Sequence, residues 1–359
     1  MSQSISIIGA GATGLSAAVF LNALGYAPDI FEKRERARIT KALGVNPVTL
    51  QLFEKSGITQ RFLNNGWKME CMNFWYNDKI IYKNHLSKIR HPYPFMLIQP
   101  QFETEQILED YLNEKNIFVK RNFELQHISR QQSKLCLDFQ NLNDHTLSRI
   151  ETDIVLGADG SRSSVRELTA IAFRGREHKE EYTLYDIELE TPVSDKEGHY
   201  RFYRDGAMLM LPIRDGVWRI GGNLKDVFNY LPKGTKTGKI SWETNFTISE
   251  KVADKYNKGN IYLLGDAAHI HSPLGAKGMN MCMEDSYVFA NLLHQNREKE
   301  FSDIRRRKVK NAISALGQIT EVAAGQHFIG NTFRSSMKPL SFLFPVFMPF
   351  MRKFLLGLK

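Results

Sequence analysis

Cysteine is scarce. The chain of 359 residues contains Cys71, Cys136 and Cys282, far apart and without the paired spacing of a metal site. That argues against a disulfide-stapled secreted scaffold and for a reducing cytoplasm. Long apolar runs are missing too: nothing approaches the ~20 consecutive apolar residues that span a bilayer. The first apolar stretch is broken by Gly9, Gly11 and Gly14 and has no basic leader before it, so a signal peptide is not expected. There is no low-complexity tract and no repeat at solenoid period. What remains is ordinary globular composition, 42% hydrophobic and 24% charged, in a chain long enough for two interlocked domains.

Charge is unbalanced, at +9. An excess of this sign attracts anionic cofactors. No nucleic-acid-binding motif accompanies it, so nucleic acid is not expected as a partner. The densest basic run, Arg305-Arg306-Arg307-Lys308, lies in a helical pattern and reads as an exposed face.

Glycine is placed rather than scarce. Ser4–Ile8 reads as a strand, Leu15–Leu24 as a helix and Ala27–Phe31 as the next strand, with Gly9-Ala10-Gly11-Ala12-Thr13-Gly14 at the first junction. In that context Gly9 permits the tight turn, Gly11 lets backbone approach a pyrophosphate, and Gly14 lets helix and strand pack closely. The pyrophosphate would sit on the helix N-terminus. Glu32, about 20 residues further on, is placed to accept from ribose hydroxyls, and its charge favours FAD or NAD over NADP. Ala12, Thr13 and Lys33 belong to the same expected nucleotide site.

Two further glycine motifs occur downstream: Gly157-Ala158-Asp159-Gly160 running to Arg166, after the strand Asp153–Leu156, and Gly265-Asp266-Ala267-Ala268-His269 running to Pro273, Gly275, Gly278 and Asn280, after the strand Asn260–Leu264. In this order and spacing the set resembles the FAD-dependent aromatic hydroxylases, the single-component flavoprotein monooxygenases of the p-hydroxybenzoate hydroxylase type. The resemblance is strongest over 4–32, 153–168 and 260–294. It implies an α/β fold with inserted β structure: a Rossmann-type FAD-binding domain (1–70, 95–180 and 255–300) interleaved with an antiparallel-sheet substrate domain (71–94 and 181–254). Residues 301–359 would form C-terminal helices and an apolar tail.

The resemblance also implies site residues. Lys41, before Ala42-Leu43-Gly44, stands where the family often carries a flavin-side Arg. Gln101, in Pro100-Gln101-Phe102-Glu103-Thr104-Glu105, would reach FAD or else would cap the helix over Glu105–Asn113. Asp159 would lie beside the flavin. Arg162 and Arg166 are candidates for NAD(P)H phosphates, Arg166 alternatively for a surface ion pair with Glu167 or Glu151. Asp266, a carboxylate beside a diphosphate, would bond ribose or ribityl hydroxyls. Pro273, Gly278, Met279 and Asn280 would lead into a helix over Met281–Leu293 whose N-terminus faces the flavin and stabilises its reduced anion. Lys277 replaces the usual Gln, either altering charge near the flavin or facing solvent. His269 reads as structural; with His271 it lacks a third ligand, so no metal is expected.

Between the second and third motifs the pattern turns to period two, as in Tyr185–Glu190, with Asp-Gly turns at Asp205-Gly206 and Asp215-Gly216. Tyr203, Met208, Met210 and Trp218 are candidate substrate-pocket residues, each alternatively ordinary core. The segment Lys338–Lys353 is apolar, aromatic and interrupted by three prolines. It is expected to pack over the substrate pocket or a partner subunit, or to touch a membrane surface.

The chemistry implied by the resemblance is NADPH or NADH reduction of FAD, oxygen capture as a flavin C4a-hydroperoxide and hydroxylation of an aromatic or polyketide-like molecule. The chemistry would be flavin-borne, so no catalytic side chain is assigned. Two alternatives stand beside it: a flavin reductase or oxidoreductase on the same fold that inserts no oxygen, such as an isoprenoid reductase, and a non-catalytic flavin-fold binding protein.

Overall fold

The computed structural model describes residues 3–36, 42–272 and 277–324, with 349, 352–353 and 356–358 beyond them. Among these residues the helices are α1 Ala12–Ala23, α2 Pro47–Leu52, α3 Ile58–Asn65, α4 Gln101–Glu114, α5 Ser164–Leu168, α6 Gly278–His294 and α7 Phe301–Ala324. The β structure forms sheets of six, eight, three and three strands.

The six-stranded sheet carries the three glycine motifs at its strand ends. Its parallel strands run in the spatial order Ile261–Leu263, Ile154–Gly157, Ile5–Ile8, Asp29–Glu32 and Val119–Arg121. Asn257–Lys258 adds an antiparallel edge. The short strands read as continuous apolar runs because both faces are covered; all four residues of Ile5–Ile8 and of Ile154–Gly157 are buried. Register brings the glycine motifs to one level. Ile8 pairs with Gly157, and Gly157 pairs with Leu263, so the strands end beside one another. The next residues, Gly9, Ala158 and Leu264, continue the ladder: Ala158 donates its N–H to Ile8 O at 2.8 Å and Leu264 to Gly157 O at 2.9 Å. The chain leaves the central strand to one side first and the other side later. In open α/β sheets, ligands bind outside the carboxyl ends at such a reversal.

α1 starts at Ala12, three residues before the sequence pattern suggests, and takes Gly14 into its first turn. Packing makes that glycine necessary. A Cβ at Gly14 would lie 1.9 Å from Gly9 O.

The eight-stranded sheet is ordered His269–Ile270, Lys236–Ala253, Phe173–Glu190, Val217–Gly222, Ala207–Arg214, Glu197–Phe202, Cys71–Tyr76 and Lys79–His85. It is antiparallel except where Glu197–Phe202 meets Cys71–Tyr76 in parallel. The parallel pair arises because residues 71–85 come from much earlier in the chain and are joined across the nucleotide domain. Alternation reports which residues share a face, not strand direction.

A hydrophobic cluster joins the two parts. Met72, Phe74, Tyr200, Phe202, Leu209 and Leu211 of the large sheet pack with Met96 and Ile98 of the small sheet Gly44–Val45, Met96–Ile98 and Trp67–Met69, and with Leu43 just before it. A second cluster on the opposite face holds Ile187, Met208, Met210, Trp218 and Ile220 under residues 224–231. None of the described helices is long and apolar enough to cross a membrane.

Candidate functional site

The three glycine motifs meet at the carboxyl ends of Ile5–Ile8, Ile154–Gly157 and Ile261–Leu263. Gly9 adopts φ +105°, and a Cβ there would lie 2.4 Å from Ala158 O, so first and second motifs touch through backbone. Gly265, at φ +59°, holds the third motif against the first: a Cβ would fall 2.5 Å from Thr13 Oγ1. Gly11 differs. A Cβ on it would come no nearer than 3.7 Å to any other group, which leaves its backbone open to a ligand. Glu32 reaches back to the loop, its Oε2 accepting Ala10 N–H at 2.9 Å. Lys33 faces away, in an ion pair with Glu124 at 3.7 Å.

Glu105 was not singled out by sequence reading, yet it supports the loop. Gly11, the N-cap of α1, has no side chain to give. Instead Glu105 Oε1 of α4 accepts Ala12 N–H at 3.0 Å and Gln101 Nε2–H at 2.8 Å. Burial is the main cause that raises the Glu105 carboxyl above its usual range. The signal was its i, i+4 spacing from Gln101, which puts both on one helix face. Gln101 itself braces the segment before Gly44: its N–H donates to Ala42 O at 3.0 Å and its Oε1 accepts Ala42 N–H at 3.4 Å.

Asp159 bonds the protein through one oxygen and leaves the other unpaired. Oδ2 accepts Val165 N–H at 3.0 Å, whereas the buried Oδ1 has no protein partner. Its carboxyl is pushed up, chiefly by burial. Asp266 is exposed at the end of the third motif, with Oδ1 accepting the Cys282 thiol at 3.5 Å. Burial, with Asp266 and Asp285 nearby, pushes that thiol well above its ordinary pKa, so Cys282 stays a protonated donor rather than a nucleophile.

The N-terminus of α6 closes the site from the other side. Asn280 Nδ2 donates to Gly44 O at 2.7 Å, and its Oδ1 accepts Asn46 N–H at 2.9 Å. Asn46 in turn caps α2 by accepting Thr49 N–H at 2.8 Å, ahead of Pro47. The Asn-Pro pair was a legible capping signal. Gly278 and Met279 form the first turn of α6. Lys277, its N-cap, does not face solvent: burial, with Lys308 close by, lowers its ammonium to about 8. Lys41 and Pro273 lie outside the described residues.

Behind the third motif, Asp285 ties the site to the helices. Its Oδ2 accepts Gly265 N–H at 3.0 Å and lies 2.7 Å from His269 Nε2, while Oδ1 accepts Arg305 Nε–H at 2.6 Å. His269 is thus a structural partner. Arg305, expected on an exposed basic face, is 1% exposed because this pairing draws it inward.

Two expectations are corrected. Arg166 does not point outward. The short helix α5 begins at the Ser163 cap and turns Arg166 into the protein, where its guanidinium donates to Ala267 O at 3.0 Å and Ser161 O at 2.9 Å and lies 4.0 Å from the Phe173 ring centroid. Its donors tie the second motif to the third; Arg162 is the arginine left exposed. Met208, Met210 and Trp218, with Tyr203, lie on the face of the sheet away from the nucleotide domain. Directly paired residues share a face, and Met210 pairs with both His199 and Ile220. Choosing the opposite parity gives Tyr200, Leu209 and Leu211, the face that looks toward Leu43 and Ile98.

The arrangement fits a flavin dinucleotide. The backbone at Gly11 is open to a pyrophosphate, Glu32, Asp159 and Asp266 are acceptors for hydroxyls, and Asp159 Oδ1 is a buried acceptor awaiting a donor. Comparison with known proteins agrees. The model of the FAD binding domain matches residues 2–219 and 230–299. Pentachlorophenol 4-monooxygenase of Sphingobium chlorophenolicum is 29% identical over 79% of this chain and 56% of its own length. Rifampicin monooxygenase of Streptomyces venezuelae is 26% identical over 79% of this chain and 62% of its own. The chain therefore spans less than two thirds of these curated relatives. In fold, it is similar to p-nitrophenol 4-monooxygenase from Pseudomonas putida, with a TM-score of 0.84 at 16% identity over 98% of each chain. With most of its length matched and the glycine motifs assembled into one cradle, the chain belongs to the FAD binding domain family.

Proposed function

We propose that the chain is an FAD-dependent monooxygenase that uses NADPH or NADH and O2 to hydroxylate an aromatic or polyketide-like small molecule. One observation carries the reading: an apolar, aromatic sheet face packs on Leu43, next to the Gly44 that Asn280 of the third motif holds, while the three motifs themselves meet through Gly9 and Gly265. The names of the relatives support the same class. FAD, when bound, would supply the redox chemistry, with the nicotinamide as two-electron donor and O2 as the source of one oxygen for the ring and one for water.

The protein's own part is binding, orientation and exclusion of water. The α1 N-terminus receives the pyrophosphate. Glu32, Asp159 and Asp266 accept hydroxyl donors. The α6 N-terminus carries positive partial charge that would favour a negatively charged group held there. Phe74, Tyr200, Leu209 and Leu211 supply a dry wall against which an aromatic ring packs.

Asp266→Ala is expected to lose flavin on gel filtration, while Asp266→Asn retains part of it. Full FAD occupancy in the alanine variant would refute the role given to Asp266. Activity is tested by monitoring nicotinamide oxidation and product together with a phenol panel. Hydroxylated product formed in step with nicotinamide consumption supports a monooxygenase. Reduction of a substrate double bond without oxygen uptake would assign the chain to the non-inserting oxidoreductases.

A further inference from the structure

A surface cleft of about 560 Å³ lies between two turns of the chain. One wall is Thr169–Ala172, just after α5; the other is Asp254, Lys255, Asn257, Lys258 and Gly259, just ahead of the strand Ile261–Leu263. That strand carries the third glycine motif at its carboxyl end, so the cleft sits at the opposite end of the six-stranded sheet from the flavin cradle. Its volume falls among small-molecule sites, roughly 300–1,000 Å³. Local backbone geometry shapes it. Ala170 takes the chain out of α5 at φ +52°, a left-handed conformation uncommon outside glycine, with its N–H bonded to Glu167 O at 2.9 Å. The two walls are tied together where Asp254 N–H donates to Ala172 O at 2.9 Å and Lys258 Nζ donates to Thr169 O at 2.9 Å.

Positive charge converges on this cleft. A Cβ at Gly259 would come 3.3 Å from Arg130 Nη2, on the strand Phe123–Gln131. From α7, Arg306 donates to Ala253 O at 3.1 Å, next to Asp254. The bond from Arg174, with Arg306 and Lys310 close by, holds the Asp254 carboxyl below its ordinary range. Asp254 is the acidic residue of the lining, and Arg174 matches it at 2.7 Å. Arg130, Lys255, Lys258, Arg306 and Lys310 have no carboxylate partner among the described residues. A ligand that neutralises them must be anionic and multiply charged. Lysines serve such a group as point charges, and arginines offer a planar fork that matches phosphate oxygens. Ala170, Ile171 and Ala172 add apolar surface for an uncharged body beside it.

We propose that this cleft binds the phosphate or diphosphate group of a small organic molecule, at a site separate from the flavin cradle. The proposal goes beyond the monooxygenase reading and does not depend on it.

The test is calorimetric titration of FAD-loaded protein with inorganic pyrophosphate, so that the diphosphate site of the cradle is already filled. One saturable site of millimolar or tighter affinity is expected. Lys255→Glu and Lys258→Glu are each expected to weaken it by roughly ten-fold or more. Lys79→Glu makes the same charge change on an exposed residue of the strand Lys79–His85, at the far edge of the large sheet, and is expected to stay within about two-fold of wild type. Thermal unfolding checks each variant. Lys258 also bonds Thr169 O, so Lys255→Glu carries the test if Lys258→Glu does not fold. Absence of a saturable site in wild-type protein, or an equal loss in all three variants, would overturn the proposal. Competition then identifies the source of the phosphate. Displacement of pyrophosphate by NADPH but not by NADH places the 2′-phosphate of the reductant in the cleft. Displacement by neither assigns the cleft to a different phosphorylated molecule, and the pyrophosphate site itself still upholds the proposal.

Discussion

Replacing Asp285 by alanine is expected to destabilise the folded protein by about 3–5 kcal/mol, the range for breaking a buried ion pair from one side. Both Asp285 and Arg305 are essentially without solvent exposure, at 0% and 1%. Removal of the carboxylate strands the guanidinium with Glu284 at 3.2 Å and Met281 O at 3.3 Å. It also takes the acceptor from Gly265 N–H, the residue that seats the third motif. Urea unfolding should show a lower midpoint with an unchanged slope. A loss below about 1 kcal/mol would mean that the network is worth no more than a surface pair.

The same group sets an acid limit. Burial alone would raise the Asp285 carboxyl, but Arg305 and His269 outweigh it and hold it at about 2, below its ordinary 3.8. The folded state then binds this proton less tightly than the unfolded chain does. Its contribution to stability is complete above about pH 4 and is lost as pH falls through about 2. Asp285→Asn should therefore lose less stability than wild type over that interval. Parallel curves would contradict the assignment.

Gly14→Ala is expected to weaken FAD binding by roughly ten- to a hundred-fold, with about 1–3 kcal/mol of lost stability from overpacking. The added methyl would sit 1.9 Å from Gly9 O and 3.2 Å from Ile7 Cγ2. Gly9 O is backbone, and Gly9 N–H is already bonded to Phe31 O at 2.7 Å. Relief requires α1 to move off the strand, taking the first-turn amides with it. Gly25→Ala is the control. Gly25 has positive φ, at +88°, and nothing lies within 4 Å of its would-be Cβ. It should lose about 1 kcal/mol and keep its flavin. Titration of the apo proteins with FAD, read by quenching of flavin fluorescence, separates the two cases. Equal affinities for both variants would remove the packing argument.

Much of the nucleotide fold was legible because its signals are local. A strand, a glycine loop, a helix and a carboxylate succeed one another within 32 residues, and each has one mechanical reading. The strand Lys236–Ala253 was missed, although Ile240, Trp242, Thr244, Phe246 and Ile248 alternate along it with the polar Ser241, Glu243, Asn245 and Thr247. The proposed substrate face failed differently. Period two separates two faces but does not say which looks at the cofactor, and parity was set by how the sheet docks. Arg166 and Arg305 read as surface charges because both occur beside other charged residues. What buries them is a carbonyl 101 residues away in one case and a carboxylate 20 residues away in the other. Such partners exist only once the chain has folded.

The most direct test of the flavin assignment is the visible absorption spectrum of the purified protein, recorded before and after anaerobic addition of NADPH and then of NADH. A yellow protein with an oxidised-flavin spectrum that bleaches with one of the two is the expected result. Protein that is colourless as purified and cannot be reconstituted with FAD would contradict it.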